Sequence, residues 1–376
     1  MKLMKHGVRR ELITSLVFAF CCVILFILPR KETIFTQQGK RKKAVVLSVD
    51  NSQISMHGHL KYGSQNLTVR LKSGEHKGKV FAAANELRAQ LELDKDFKVG
   101  DHVLVNILPD DTPEKSTLIA QEHDRSLWFW ILAGSFCIVL CVFGRWTGVK
   151  ALLSFIFSCA MIWKVVIPLI LNGYNAIWIS FFCVCLLTAV IQFLIAGVNR
   201  RGVTAFLGAI SGVFAGALTA WLFTVLMKIN GAVLPYSQAL LYSGYEVLKL
   251  QDIFVGAMIL ASSGAVMDLA MDISTGMSEI VSHSPEITTK KLVSSGMEIG
   301  RNVVGTMTTT LLLAYSGGYI TLLMMFYIQG NAPMDFLNNP LVASEAVKTL
   351  AGSFALVLVA PLTALCGGFF FKKYKK

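Results

Sequence analysis

Charge is scarce in this chain. Asp, Glu, Lys and Arg make up 15% of its 376 residues and hydrophobic residues 54%, which excludes an ordinary soluble globular protein, where charged residues approach a quarter. Cysteine is missing from the polar stretch 30–126, so no disulfide framework is implied there. All eight cysteines (Cys21, Cys22, Cys137, Cys141, Cys159, Cys183, Cys185 and Cys366) fall in apolar runs and read as small packing residues. No GxxxxGK[ST] loop occurs, which argues against ATP-driven work by this chain alone. No HExxH or Gly-x-Gly-Asp appears either, so neither a zinc hydrolase nor an intramembrane aspartyl protease is indicated, and an enzyme is not expected. No cofactor is called for. His57 and His59 lack a third ligand at metal-binding spacing, so no metal site is expected.

What is present in quantity is apolar sequence in long runs. A hydrocarbon core of roughly 30 Å needs about 20 apolar helical residues. Runs of that kind lie near 11–29, 127–144, 151–171, 176–197, 203–227, 253–275, 299–327 and 346–371, giving about eight expected transmembrane helices in a bilayer. The run at 203–227 is rich in Gly and Ala and reads as packed deep in a bundle. The net charge of +12 is distributed by loop. Lys2, Lys5, Arg9 and Arg10 precede the first run; Arg145 and Lys150, Arg200 and Arg201, and Lys290 and Lys291 mark alternate connections; Lys372, Lys373, Lys375 and Lys376 close the chain. The connections at 172–175 and 329–345 hold no Lys or Arg. This alternation predicts both termini in the cytoplasm of a bacterial cell membrane and residues 31–126 outside. The first run, followed by LPRKET with no small-x-small site, reads as an uncleaved signal anchor. Lys164 falls inside the third run and reads as snorkelling outward.

Residues 36–122 change character. KAVVLSVD, NLTVRLKSG, KGKVFAAAN, DHVLVNILP and STLIAQEH alternate apolar and polar residues between turn signals. They predict about five strands, with a helical turn at NELRAQLEL, in a small closed β-barrel of the oligonucleotide-binding kind. A nucleic-acid ligand does not follow, since Phe81 is the sole aromatic on the strands. The expected organisation is therefore a basic head and anchor over 1–30, an extracytoplasmic β domain over 31–126, and a seven-helix membrane domain with a basic tail over 127–376.

Carboxylates inside the apolar runs are the sharpest functional signal. In GAVMDLAMDISTGMSEI, Asp268, Asp272 and Glu279 recur at i, i+4 and i+11, within about 40° on a helix. The next run carries Glu298 and Arg301 at its base, then Thr306, Thr308, Thr309 and Thr310. Charges in hydrocarbon are rare without a partner, a wet cavity or a function. Arg301 and Asp272 are expected at comparable depth and form a candidate ion pair; the threonines are candidate polar lining. Gly264, Gly300, Gly305, Gly317 and Gly318 are candidate close-packing or hinge positions.

These two stretches, SGAVMDLAMDIS and GRNVVGTMTTTLLLAYSGG, resemble the signature of the YibE/F-like family of bacterial multi-pass membrane proteins. The likeness is carried by Gly264, Asp268, Ala270, Glu279, Gly300, Arg301, Thr310, Leu311, Ala314, Tyr315 and Gly317. It implies the same plan of anchor helix, outside β domain and membrane block, without a defined activity. Where the family continues with a proline and a leucine run, this chain has YITLLMMF. The order of an Asp-bearing helix and a helix with Arg and clustered Thr is also similar to the membrane domain of SecD/SecF-type proton-driven permeases. Two functions from different classes follow: proton- or cation-coupled transport or export of an unknown substrate, or a non-transporting scaffold or sensor whose outside domain recruits a protein partner. The oligomeric state is not legible.

Overall fold

A computed structural model describes residues 40–74, 76–91, 93–107, 118–330 and 332–371. The expected anchor at 11–29 and the basic head and tail lie outside the described residues. The chain divides into two compact units, one over 29–139 and one that includes everything from Leu140 on.

The first unit is built on five strands: β1 (Lys40–His57), β2 (Leu60–Leu71), β3 (Val80–Arg88), β4 (His102–Ile107) and β5 (Leu118–His123). They close in the order β1-β2-β3-β5-β4, antiparallel except for β3 with β5. The period of two in the sequence is what closes it: Leu67, Val69 and Leu71 point inward with Ala44, Val46, Val103 and Val105, and alternate residues point out. Phe81 is among the inward residues, and of the strand aromatics only Tyr62 on β2 is exposed, which is short of a base-stacking platform. The helical turn expected at 85–93 is reduced to one turn at its end, where Leu93 N (2.9 Å) and Asp94 N (2.7 Å) donate to Gln90 O. Asn85–Arg88 continue β3, and Ala89 then turns the chain at φ 60°.

A polar plug pins the loop that follows. Gln65 is fully buried; its Oε1 accepts from Asn85 Nδ2 (3.1 Å) and Phe97 N (3.1 Å), while its Nε2 donates to Phe97 O (3.0 Å). Gln65→Leu would leave two buried donors unpaired at about 1–3 kcal/mol each. The barrel is expected to lose about 2–4 kcal/mol, read as faster amide exchange at Val69 and Val103.

The second unit is helical: α1 (Ser126–Met161, whose first residues belong to the barrel unit), a π turn at Ile162–Val166 carrying Lys164, α2 (Ile167–Leu171), α3 (Ala176–Ala196), α4 (Arg200–Leu226), α5 (Ser237–Tyr242), α6 (Leu250–His283), α7 (Thr289–Gly318), α8 (Ile320–Gln329), α9 (Pro333–Asn338) and α10 (Pro340–Phe371). Among the described residues five stretches are long and apolar enough to cross a membrane, six if the pair α7–α8, bent by 71°, counts as one broken span. Two expected spans, 127–144 and 151–171, follow one another within Ser126–Leu171 as separate helices. Arg145 (φ 48°, ψ −127°) separates them, and a methyl on Gly148 would lie 2.2 Å from the Leu140 carbonyl, so the chain doubles back sharply there.

The core of this unit is α4, α6 and α10. Gly208, Gly212 and Gly216, one turn apart, face Thr363, Val359 and Ala355 of α10, and a methyl at any of them would lie 2.1–2.6 Å from those side chains. The Gly- and Ala-rich run is therefore closely packed on one face only; Phe214, Leu218, Trp221 and Leu226 on its other face are exposed, so it is not buried all round as its composition suggests.

Candidate functional site

Helix α6 buries Phe254, Ile259, Val266, Leu269, Ile273 and Met277 in that core. Before its last turn, where Ser282 and His283 are exposed, what it leaves uncovered is one narrow stripe: Ala257, Ala261, Gly264, Asp268, Asp272 and Glu279. At about 100° per residue these fall within an arc of about 80°. The expected acidic stripe is therefore a real surface feature, lined above by small residues.

Three contacts set the register of α7 against it. Ile299 Cδ1 lies 2.7 Å from where a Gly276 methyl would be, Ile273 Cδ1 3.2 Å from that of Gly300, and Met277 Sδ 2.6 Å from that of Gly296. The helices are antiparallel, so Asp272 is level with Arg301–Asn302, Asp268 with Gly305–Thr306, and Gly264 with Thr309–Thr310. Depth alone suggested an Asp272–Arg301 pair, and that pair does not form. Ile299 defines the flank of α7 that faces α6, and Arg301 is about 200° further around the helix. Its guanidinium Nη1 lies 3.9 Å from Glu298 Oε2 instead, both side chains about 70% exposed.

The same geometry sorts the threonines. Thr306 and Thr310 lie within about 20° of the Ile299 direction, on the flank beside the acidic stripe; Thr309 is about 80° off and Thr308 about opposite. Each hydroxyl donates to a carbonyl of its own helix: Thr306 to Val303 (3.0 Å), Thr308 to Val304 (2.8 Å), Thr309 to Gly305 (3.3 Å) and Thr310 to Thr306 (3.0 Å). Their lone pairs stay available as acceptors. Asn302, about 60° from Ile299, joins this flank one turn below Thr306; its place in GRNVVGT, four residues before that threonine, was the available signal. Two carboxylates on α6 thus stand beside a ladder of Asn302, Thr306 and Thr310 on α7. Among the described residues no cation pairs with Asp268 or Asp272, and no three His, Cys, Asp or Glu side chains cluster as a metal site. Carboxylates on one helix beside hydroxyl and amide groups on the next, all exposed, are a set of groups that suits a proton or a small cation.

The glycines divide. Gly300 lies against Ala360 of α10, where a methyl would approach to 2.7 Å, and is a close-packing position. Gly264, Gly305, Gly317 and Gly318 have open space around them, so packing within this chain does not explain them. Gly317 and Gly318 immediately precede Tyr319, where α7 ends and α8 departs at 71°.

One buried pair escaped the sequence reading. Glu345 and Lys348 lie one turn apart near the start of α10, with Nζ 2.5 Å from Oε1 and side chains 14% and 16% exposed. Lys348 also donates to the Tyr319 hydroxyl (3.3 Å) and lies over the Phe254 ring at 5.5 Å. The pair joins the break in α7–α8 to α10 and to the beginning of α6. Its signal, opposite charges three apart in an apolar run, was legible but was hidden by treating 329–345 as a loop.

A model of the YibE/F-like protein family matches residues 132–373, and one of the YibE/F family N-terminal domain matches 35–121. The chain belongs to the YibE/F family. With its apolar helices, this makes it a multi-pass membrane protein of the YibE/F type. No curated protein and no solved structure matches it, so the similarity to SecD/SecF rests on the order of charged helices alone.

Proposed function

We propose that this YibE/F protein is a transport- or export-related membrane protein that couples proton or cation movement to its work through the α6–α7 groove. Asp268 and Asp272 are the titrating groups, and Asn302, Thr306 and Thr310 are the polar wall. In this reading both termini are cytoplasmic, the barrel is extracytoplasmic and binds the substrate or partner, and the groove opens from the cytoplasmic end near Glu279. The observation that carries it is that, among the described residues, no cation pairs with the two carboxylates within an apolar helix. A charged side chain near the bilayer centre costs about 2.5–3.5 kcal/mol or more, and a structural pair would have relieved that.

Water access tests this directly. In a background with the native cysteines replaced, Cys introduced at Asp272 and at Thr306 is expected to react with a membrane-impermeant thiol reagent added on the Glu279 side. Cys at buried Leu269 is expected to stay unlabelled. If positions 272 and 306 are as inert as 269, the groove is dry, coupled transport fails, and a scaffold recruiting through the barrel replaces it.

A further inference from the structure

The barrel carries like charges where a sheet ordinarily avoids them. Lys43 on β1 and Lys72 after β2 are cross-strand neighbours, joined by a hydrogen bond from Lys72 N to Lys43 O (2.7 Å). Arg41 lies two residues from Lys43 on the same face, and Arg70 stands opposite Val45. Directly opposed like charges destabilise a strand pair. Arg41, Arg70, Lys72 and the turn residue Lys77 are all exposed, and among the described residues none has an acidic partner.

The position of this rim is fixed by Lys43. Its ammonium lies 2.9 Å from Asp124 Oδ2 and donates to Ser126 Oγ at 2.8 Å. Ser126 is the first residue of α1. Every residue from Leu127 to Leu132 is apolar and at least half exposed, Trp128 and Trp130 among them. An apolar, Trp-bearing first turn and a half begins at the membrane interface. Lys43 is therefore at headgroup level, and Lys72, about 5 Å across the strand pair, stands beside it. The headgroup layer is about 5–7 Å deep on each side of the hydrocarbon, enough to reach Arg41 and Arg70 as well.

We propose that this rim is a docking surface for anionic phospholipid headgroups, with Arg41, Arg70, Lys72 and Lys77 as its cations and Lys43 as the strut that holds it against α1. The partner is the bilayer surface, recognised by its phosphate charge. The inference is independent of the α6–α7 groove. Each Lys or Arg near an anionic surface contributes about 1 kcal/mol, or about fivefold in the docking equilibrium, and salt weakens it.

The test uses the full chain in nanodiscs of phosphatidylcholine alone and of phosphatidylcholine with phosphatidylglycerol. Amide exchange at residues 41–44 and 70–74 is expected to slow in the anionic discs, and the slowing to disappear in about 0.5 M salt. Lys72→Gln with Arg70→Gln should remove most of it, while exchange at Val103 in the barrel core stays unchanged and shows that the variant folds. Equal exchange in both lipids overturns the proposal. So does equal protection on adding inorganic phosphate to the neutral discs, since the rim would then be a site for free phosphate.

The same cluster gives a pH prediction. Asp124 accepts hydrogen bonds from the Ser126 hydroxyl and from Lys43, which hold its carboxyl down from 3.8 to about 2. A depressed folded value means the stabilisation is fully present above about pH 4 and is lost as pH falls through about 2. The barrel is expected to lose thermal stability over that window, and Asp124→Asn to flatten this part of the profile.

Discussion

Asp268→Asn is expected to abolish coupled proton or cation movement by the reconstituted protein, together with reaction at that position with a hydrophobic carbodiimide, a reagent for protonated carboxyl groups in apolar surroundings. Asp268 is the farther of the two carboxylates from the Glu279 end of α6, level with Thr306 and about three turns from Glu279, which is eleven residues on. An asparagine keeps the shape and hydrogen-bonding reach but cannot take up or release a proton. Asp272→Asn, one turn nearer the aqueous end, should reduce flux by about tenfold, the factor that about 1.4 kcal/mol represents. Thr308→Val, on the far side of α7, and Glu298→Gln, in the exposed pair with Arg301, should leave both readouts intact. Flux in Asp268→Asn equal to the parent protein's would remove Asp268 from the mechanism. Measurement is by pH-sensitive dye in proteoliposomes and by mass spectrometry of the labelled peptide.

Gly212→Val is expected to prevent assembly of the membrane unit. A single methyl at Gly212 would already lie 2.6 Å from Val359 Cβ and 3.1 Å from Val266 Cγ1, so the clash falls on α10 and α6 together. Both neighbours are β-branched, short and fully buried, and neither has a flexible end to move aside. Overpacking in a tight core typically costs about 1–3 kcal/mol, and here two helix contacts must open at once, which places the effect at the upper end or beyond. The expected reading is loss of the monodisperse detergent-solubilised species. Gly264→Val, in open space on the groove face, should assemble normally. If both variants behave alike, the α4–α10 contact is not what limits assembly.

Much of the fold was written in periodicity. Strand alternation located the barrel because its core needs every second side chain, and apolar run length located the helices because the bilayer sets it. The helical turn at 85–93 survives only as the turn from Gln90 to Asp94, because pairing with β2 carries Asn85–Arg88 on as strand although they read as helix formers. At the candidate site, spacing along α6 was enough to place Asp268, Asp272 and Glu279 on one face. Pairing between helices was not legible. The rotation of α7 is fixed by Ile299 and Gly300 meeting Gly276 and Ile273, and no count along the sequence reveals that rotation. That is why equal depth suggests an Arg301–Asp272 pair, while it is Asn302, its neighbour, that lies on the Ile299 side of α7.

The buried pair on α10 bears on how this protein enters the bilayer. Glu345 and Lys348 are one turn apart on a single helix, so their charges offset each other as soon as that helix forms, before any neighbour has arrived. The insertion machinery meets α10 as a neutral segment. Helix α6 has no such companion for Asp268 and Asp272, and a segment with two carboxylates partitions poorly by itself. Its entry therefore depends on the helices made before it or on protonation in transit, and biogenesis of this protein should be most sensitive to sequence changes at α6 and least at the charged end of α10.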